Sequence, residues 1–138
     1  MNEWQLEAQG TGKVVVERLK IADGYWSRLC GLQFRRPLPP GHGLLIVPCA
    51  SVHTMWMRFA IDAVMLDRFG TVLEVREAVS PWRIVWAPRG THAVLEATAG
   101  NLRIAVGDLL TLRSRSGQTR PPAPLSNFRL SAGIVPRA

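Results

Sequence analysis

The chain has 138 residues, 47% of them apolar and 20% charged, a balance that excludes wholesale disorder and supports one domain burying roughly two-thirds of its unfolded surface. Its net charge is +7, but four arginines (Arg115, Arg120, Arg129, Arg137) follow Ser114 where no acid occurs, so the remaining 13 bases stand against 10 acids. The long uncharged run Pro37 to Met57 is too broken by proline and glycine to span a bilayer, and Met1 to Gly12 carries Glu3 and Glu7 with no apolar block, so neither a membrane segment nor a signal peptide is expected, and the cytoplasm is the expected compartment.

In chain order, Lys13 to Ile21 (KVVVERLKI) has the β-branched content of a strand. Asp23 reads as the N-cap of a helix from Gly24 to Leu32, where Trp26, Leu29, Cys30 and Leu32 share a face at the three-to-four spacing. Arg35-Arg36-Pro37 ends it, Pro39-Pro40-Gly41 forms a loop, and Leu44 to Val47 reads as a buried strand bounded by Pro48. A strand from Val52 to about Phe59, a second to Leu66 and a third from Thr71 to Val79 follow. The turn Asp67-Arg68-Phe69-Gly70 between the last two has the Asp-first, Gly-fourth pattern of a type I turn. In the third strand, Leu73, Val75 and Val79 alternate with Glu74, Arg76 and Ala78, which implies one core face and one wet face. Ser80 to Gly90, with two prolines and Trp82 and Trp86, reads as a packed surface loop. His92 to Ala97 returns as a strand, Thr98 to Val106 has room for a short helical turn, and Leu109 to Arg113 is the last strand expected. These elements imply a mainly β domain over residues 1–113, a small barrel-like or rolled antiparallel sheet with one or two short helices. Residues 114–138, with Pro121, Pro122 and Pro124, read as a basic, flexible tail.

Arg28-Leu29-Cys30-Gly31-Leu32, Phe34-Arg35, Leu38, Gly43-Leu44-Leu45, Trp56-Met57, Ile61-Asp62, Leu66-Asp67, Gly70, Val94-Leu95-Glu96, Gly100 and Gly107-Asp108 occur in an order that resembles the family known as domain of unknown function 192, or uncharacterised protein family 0127. The resemblance covers roughly residues 13–113 and implies a compact, largely β fold without an established activity. The chain departs from the family pattern at Gln33, where methionine is usual, and at Ala60, where proline is common.

Several side chains have the chemistry of a site. Cys49 and His53 would share a helix face, but on a strand their spacing is about 13 Å at roughly 3.3 Å per residue, too far for one zinc ion. No CxxC or HxxxH pattern accompanies them, and neither a metal nor another cofactor is expected. Two cysteines in a cytoplasmic chain with a full core are expected reduced and buried. A nucleophilic Cys30 or Cys49 would need His53 or His92 as partner and Asp62, Glu96 or Asp108 to orient it. Asp67 and Asp108 have turn-forming roles available, and Asp62 can pair with Arg58 or accept from backbone amides at a bend. Glu96 lies within an apolar strand, where its charge needs a partner, with Arg28 and Arg58 the natural candidates. Trp56 and Arg58 on one face make a wall for a ligand.

The expected function is a non-catalytic accessory domain that binds a small molecule or a protein through Arg28, Trp56, Arg58, Asp62 and Glu96. A small cysteine- and histidine-dependent hydrolase or transferase is the second reading. Phosphate or nucleic-acid binding through the arginine-containing tail is the third and is disfavoured, because a solvated end accounts for the same charge. No membrane partner is expected.

Overall fold

The computed structural model describes residues 4–24, 28, 31–33, 35–117 and 120–134. Its strands are β1 (Trp4–Ala8), β2 (Lys13–Ala22), β3 (His42–Ile46), β4 (Ser51–His53), β5 (Ile61–Leu66), β6 (Val72–Val79), β7 (Ile84–Trp86), β8 (Ala93–Thr98), β9 (Leu110–Ser114) and β10 (Leu130–Ile134). Eight of them form one sheet in the order β10-β9-β1-β2-β3-β8-β5-β6, and β4 and β7 form a separate two-stranded ribbon. The fold is mainly β, as expected, but the sheet is mixed and does not close into a barrel, since β2 runs parallel to β3 and β9 parallel to β10. Parallel neighbours cannot be joined by a tight turn. The connection from β2 to β3 therefore crosses over one face of the sheet.

Both faces are buried at the centre, which explains why all six residues of β5 (IDAVML) are buried. On one face Val64, Leu66, Leu45 and Leu95 pack with Leu6, Leu19 and Leu112. That contact joins strands from both ends of the sheet, so the sheet rolls over this core, and a bridge between Thr71 and Leu109 brings its two ends together. Gly70 serves the approach: its φ is +94° and a Cβ there would stand 2.6 Å from the Leu110 carbonyl. On the other face Ile61, Ala63, Met65, Val94, Leu44 and Ile46 pack beneath Leu32, Met57, Val52 and Val85. The crossover and the ribbon supply that cover.

Several expectations need correction. The strand beginning near Val52 stops at His53, and Trp56 takes a φ of +64°. Ser80 to Gly90 contains β7. The face alternation of β6 does not hold throughout: a register shift lies where Ile61 and Ala63 pair with it, so Val75 packs in the first core cluster and Val79 in the second. Turns, not a helix, occupy the stretch after Thr98, with Asn101 donating to the Thr98 carbonyl and Asp108 to that of Ala105. The segment expected as a flexible tail holds a 3-10 turn, Ala123–Leu125, and β10, and it buries Leu125 and Phe128 in the first core. β1, which no sequence signal marked, pairs between β2 and β9. The expected helix falls mostly outside the described residues, although Arg28 donates its backbone N–H to the Gly24 carbonyl at 3.0 Å as a helical turn would. Cys30 also lies outside them. Among the described residues no helix is long and apolar enough to cross a membrane.

Candidate functional site

Strand register decides which candidate residues meet. Glu96 on β8 pairs with Ala63 on β5 and Leu44 on β3, and so points to the face covered by the crossover. Asp62 pairs with Ala97 one step along and points to the opposite face. Its carboxylate accepts from the backbone N–H of Ala78 at 2.9 Å and of Gly100 at 3.0 Å. Asp62 therefore ties β5 to the bulged end of β6 and to the turn after β8, the backbone-bonding alternative foreseen for it. Asp67 caps its turn by accepting from Phe69 and Thr71, and Asp108 accepts from Ala105.

Glu96 is 1% exposed. With Arg28, Gly31, Ile46, Val52, His53 and Met57 it lines a cavity of about 30 Å³, room for a water molecule or two. Three of the polar atoms here, Glu96 Oε2, Arg28 Nε and His53 Nδ1, are buried without a hydrogen-bond partner among the described residues. Arg28 uses Nη1 to donate to the Pro48 carbonyl at 3.1 Å. Burial disfavours the charged form and pushes the Glu96 carboxyl up to about 8. Gly31 takes a left-handed φ of +48° beside the cavity, the conformation and not the space being what favours glycine, since a Cβ there would be at ordinary contact distance, 3.6 Å, from Glu96 Oε2. Gln33, a departure from the family pattern, stands at the rim with its amide nitrogen 3.3 Å from His53 Nε2. Arg28 and Glu96 thus share a cavity, whereas Trp56 and Arg58 are exposed and Asp62 lies on the other face.

Cysteine chemistry finds little support at Cys49. Burial, the largest influence, raises its thiol pKa, the nearby Glu96 raises it further, and a backbone hydrogen bond with Ser51 and the Arg28 charge only partly offset this. A nucleophilic thiol needs the reverse. His92, the other candidate base, bonds through Nε2 to the Pro124 carbonyl at 2.6 Å. Among the described residues no three His, Cys, Asp or Glu side chains gather as metal ligands would.

A larger cleft of about 300 Å³ opens on the same sheet face, lined by Arg18, Lys20, Leu32, Arg35, Leu38, His42, Gly43 and Leu44. The parallel register places Arg18 beside His42 and Lys20 beside Leu44, so β2 contributes two cations and β3 a histidine to one wall. The crossover adds Arg35 with Leu32 and Leu38. Among the described residues no acid lines the cleft, and the ion pairs they form, Arg76–Glu74 and Arg113–Glu7, lie elsewhere. None of these basic residues stood out in the sequence. The only local signal is the alternation of Arg18 and Lys20 with Leu19 and Ile21; their meeting with His42 and Arg35 depends on the crossover.

The model of the DUF192 family, described as Uncharacterized ACR, matches residues 5–112. A UPF0127 protein of Pyrococcus abyssi is 33% identical over 100 residues, covering 66% of this chain and 82% of that protein. A solved structure of a protein of unknown function from Novosphingobium aromaticivorans superposes with a TM-score of 0.68 at 23% identity, covering 77% of this chain and 82% of the other. A Sinorhizobium meliloti structure, described as a candidate transcription regulator, superposes at 0.69 and 22% identity, covering 78% and 90%. At these identities the structural likeness is one of fold.

Proposed function

We propose, from the premise that this chain belongs to the DUF192 family of uncharacterised proteins, that it is a non-catalytic, cytoplasmic binding domain for a small organic anion. The observation that carries this reading is the cleft of about 300 Å³ in which, among the described residues, Arg18, Lys20, Arg35 and His42 surround the apolar side chains of Leu32, Leu38 and Leu44 with no acid. Its volume is at the lower end of small-ligand sites, and its mixture of an apolar floor with a few convergent polar groups is what such sites use. Cations that are not neutralised within the fold favour a carboxylate or phosphate, and the two arginines can grip either in a two-pronged geometry. The apolar floor adds a preference for a ligand with a hydrocarbon or aromatic body. The raised Cys49 pKa supports binding rather than covalent catalysis.

The test is thermal unfolding with inorganic phosphate, aromatic and aliphatic carboxylates and phosphate monoesters. A ligand held at about 100 times its Kd should stabilise the fold by about 2.7 kcal/mol, and the paired substitution Arg18→Gln, Lys20→Gln should remove that gain. No stabilisation by any of these compounds, or equal stabilisation of the variant, would sink the reading.

A further inference from the structure

The outer side of the β4–β7 ribbon carries a second feature, distinct from the cleft. Val52 and Val85 face each other across the ribbon and are buried, while Ile84 and Trp86, one position to either side of Val85, face solvent at 55% and 75% exposure. Trp56 and Trp82, in the loops that leave the same ribbon, are 54% and 55% exposed. Their rings meet edge to face with centroids 4.8 Å apart. Large side chains exposed together in this way mark an interaction site more often than a solvated surface.

The arrangement is held in place from below. Thr54 is fully buried; its backbone N–H donates to the Arg83 carbonyl at 2.8 Å and its hydroxyl to the Ser80 carbonyl at 2.6 Å. It accepts in turn from the backbone N–H of Arg83 at its hydroxyl and of Trp82 at its carbonyl. Both Trp56 and Trp82 sit at positive φ, +64° and +67°, a conformation bulky residues seldom take, and one that persists where surrounding structure enforces it. The segments that carry these side chains are basic: residues 47–61 and 78–93 contain Arg58, Arg83 and Arg89, all exposed, and no aspartate or glutamate, the exposed Glu77 lying just before the second segment.

We infer that this face docks peripherally on an anionic lipid surface, with Trp56, Trp82, Ile84 and Trp86 entering the headgroup region and the arginines meeting lipid phosphates. Indoles prefer that interface because one edge is polar and the body apolar, and apolar insertion with basic charge is the two-part signal that stable peripheral binding needs. Single-stranded nucleic acid also suits arginine with aromatics, but it requires faces on which bases stack. Here Trp56 and Trp82 are turned 62° to each other and Ile84 offers no ring.

The test is co-sedimentation of the full chain with vesicles of about 30% phosphatidylglycerol in phosphatidylcholine, and with phosphatidylcholine alone. Binding to the anionic vesicles, weakened by salt and accompanied by a blue shift of tryptophan emission, is the expected result. The double substitution Ile84→Ser, Trp86→Ser should lower partitioning by about tenfold or more. Arg83→Gln with Arg89→Gln, which leaves the Thr54 backbone bonds in place, should lower binding to anionic vesicles and leave the urea midpoint unchanged. Failure to sediment, sedimentation unaffected by both variants, or retention of a single-stranded oligonucleotide without vesicle binding would each overturn the inference. So would concentration-dependent self-association through the patch in the absence of vesicle uptake.

Discussion

Replacing Glu96 with glutamine keeps the shape of the side chain and removes its charge. Burial pushes the Glu96 carboxyl from 4.5 to about 8, so in that interval the folded chain keeps a proton that the unfolded chain has released. Because the folded value is the higher one, the stabilisation is complete below the unfolded pKa and is lost as pH rises toward 8. One pH unit within the interval is worth about 1.4 kcal/mol, so the loss between about pH 5 and 7 is on the order of a few kcal/mol. Glutamine at the same position carries no such dependence. Urea unfolding of wild type and Glu96→Gln across this range, followed by tryptophan fluorescence, should therefore give stability differences that widen in favour of the variant as pH rises. Parallel pH profiles for the two proteins, or a wild type that gains on the variant above neutrality, would refute the argument that burial, not the neighbouring Arg28, dominates the ionisation of Glu96.

Asp62→Ala should destabilise the fold by about 3 kcal/mol, since it leaves the Ala78 and Gly100 N–H groups without their acceptor. Ligand affinity at the cleft should be unchanged, and a loss of affinity without a loss of stability would contradict the structural role assigned to Asp62. Gly70→Ala should cost more than about 2 kcal/mol in urea unfolding, because the new Cβ at positive φ meets the Leu110 carbonyl at 2.6 Å. In a Cys30→Ser background, Cys49 should react slowly with iodoacetamide, with a pH profile displaced above that of a free thiol and restored by urea. Fast labelling at neutral pH would reopen the nucleophile.

Much of the sheet was legible because hydrophobic alternation and turn chemistry are local. β2, β5 and β8 carry apolar and β-branched runs, and Asp67 with Gly70 specifies the turn between β5 and β6. What misled was composition that serves two geometries. Val52 to Phe59 has strand-like alternation in its sequence, but its burial changes step, with Val52 and Thr54 buried, then Met57, and Trp56 and Arg58 outside. The backbone that produces this is a loop pinned by Thr54, and no propensity marks a threonine for that work. β1 and β10 escaped notice because neither carries a marked pattern of its own; β1 is placed between the adjacent β2 and the distant β9, and β10 lies beside β9.

The candidate site divides along the same line. Glu96 stands out in the sequence because an acid inside Val94-Leu95-Ala97 demands an explanation wherever the strand lies, and Arg28 follows as its natural company. That Asp62 turns away from them required the pairing of Asp62 with Ala97, a one-residue offset that sends a side chain to the opposite face. The sequence by itself determined a mainly β fold, the turn at Asp67 and an acid within an apolar strand, since these depend on neighbours a few residues away. Only the tertiary structure decided that Arg18, Lys20, Arg35 and His42 share a cleft and that Trp56 and Trp82 share a surface. The first needs a parallel crossover, the second a threonine bonded across a ribbon, and both are contacts between residues whose separation in the chain leaves no periodic trace.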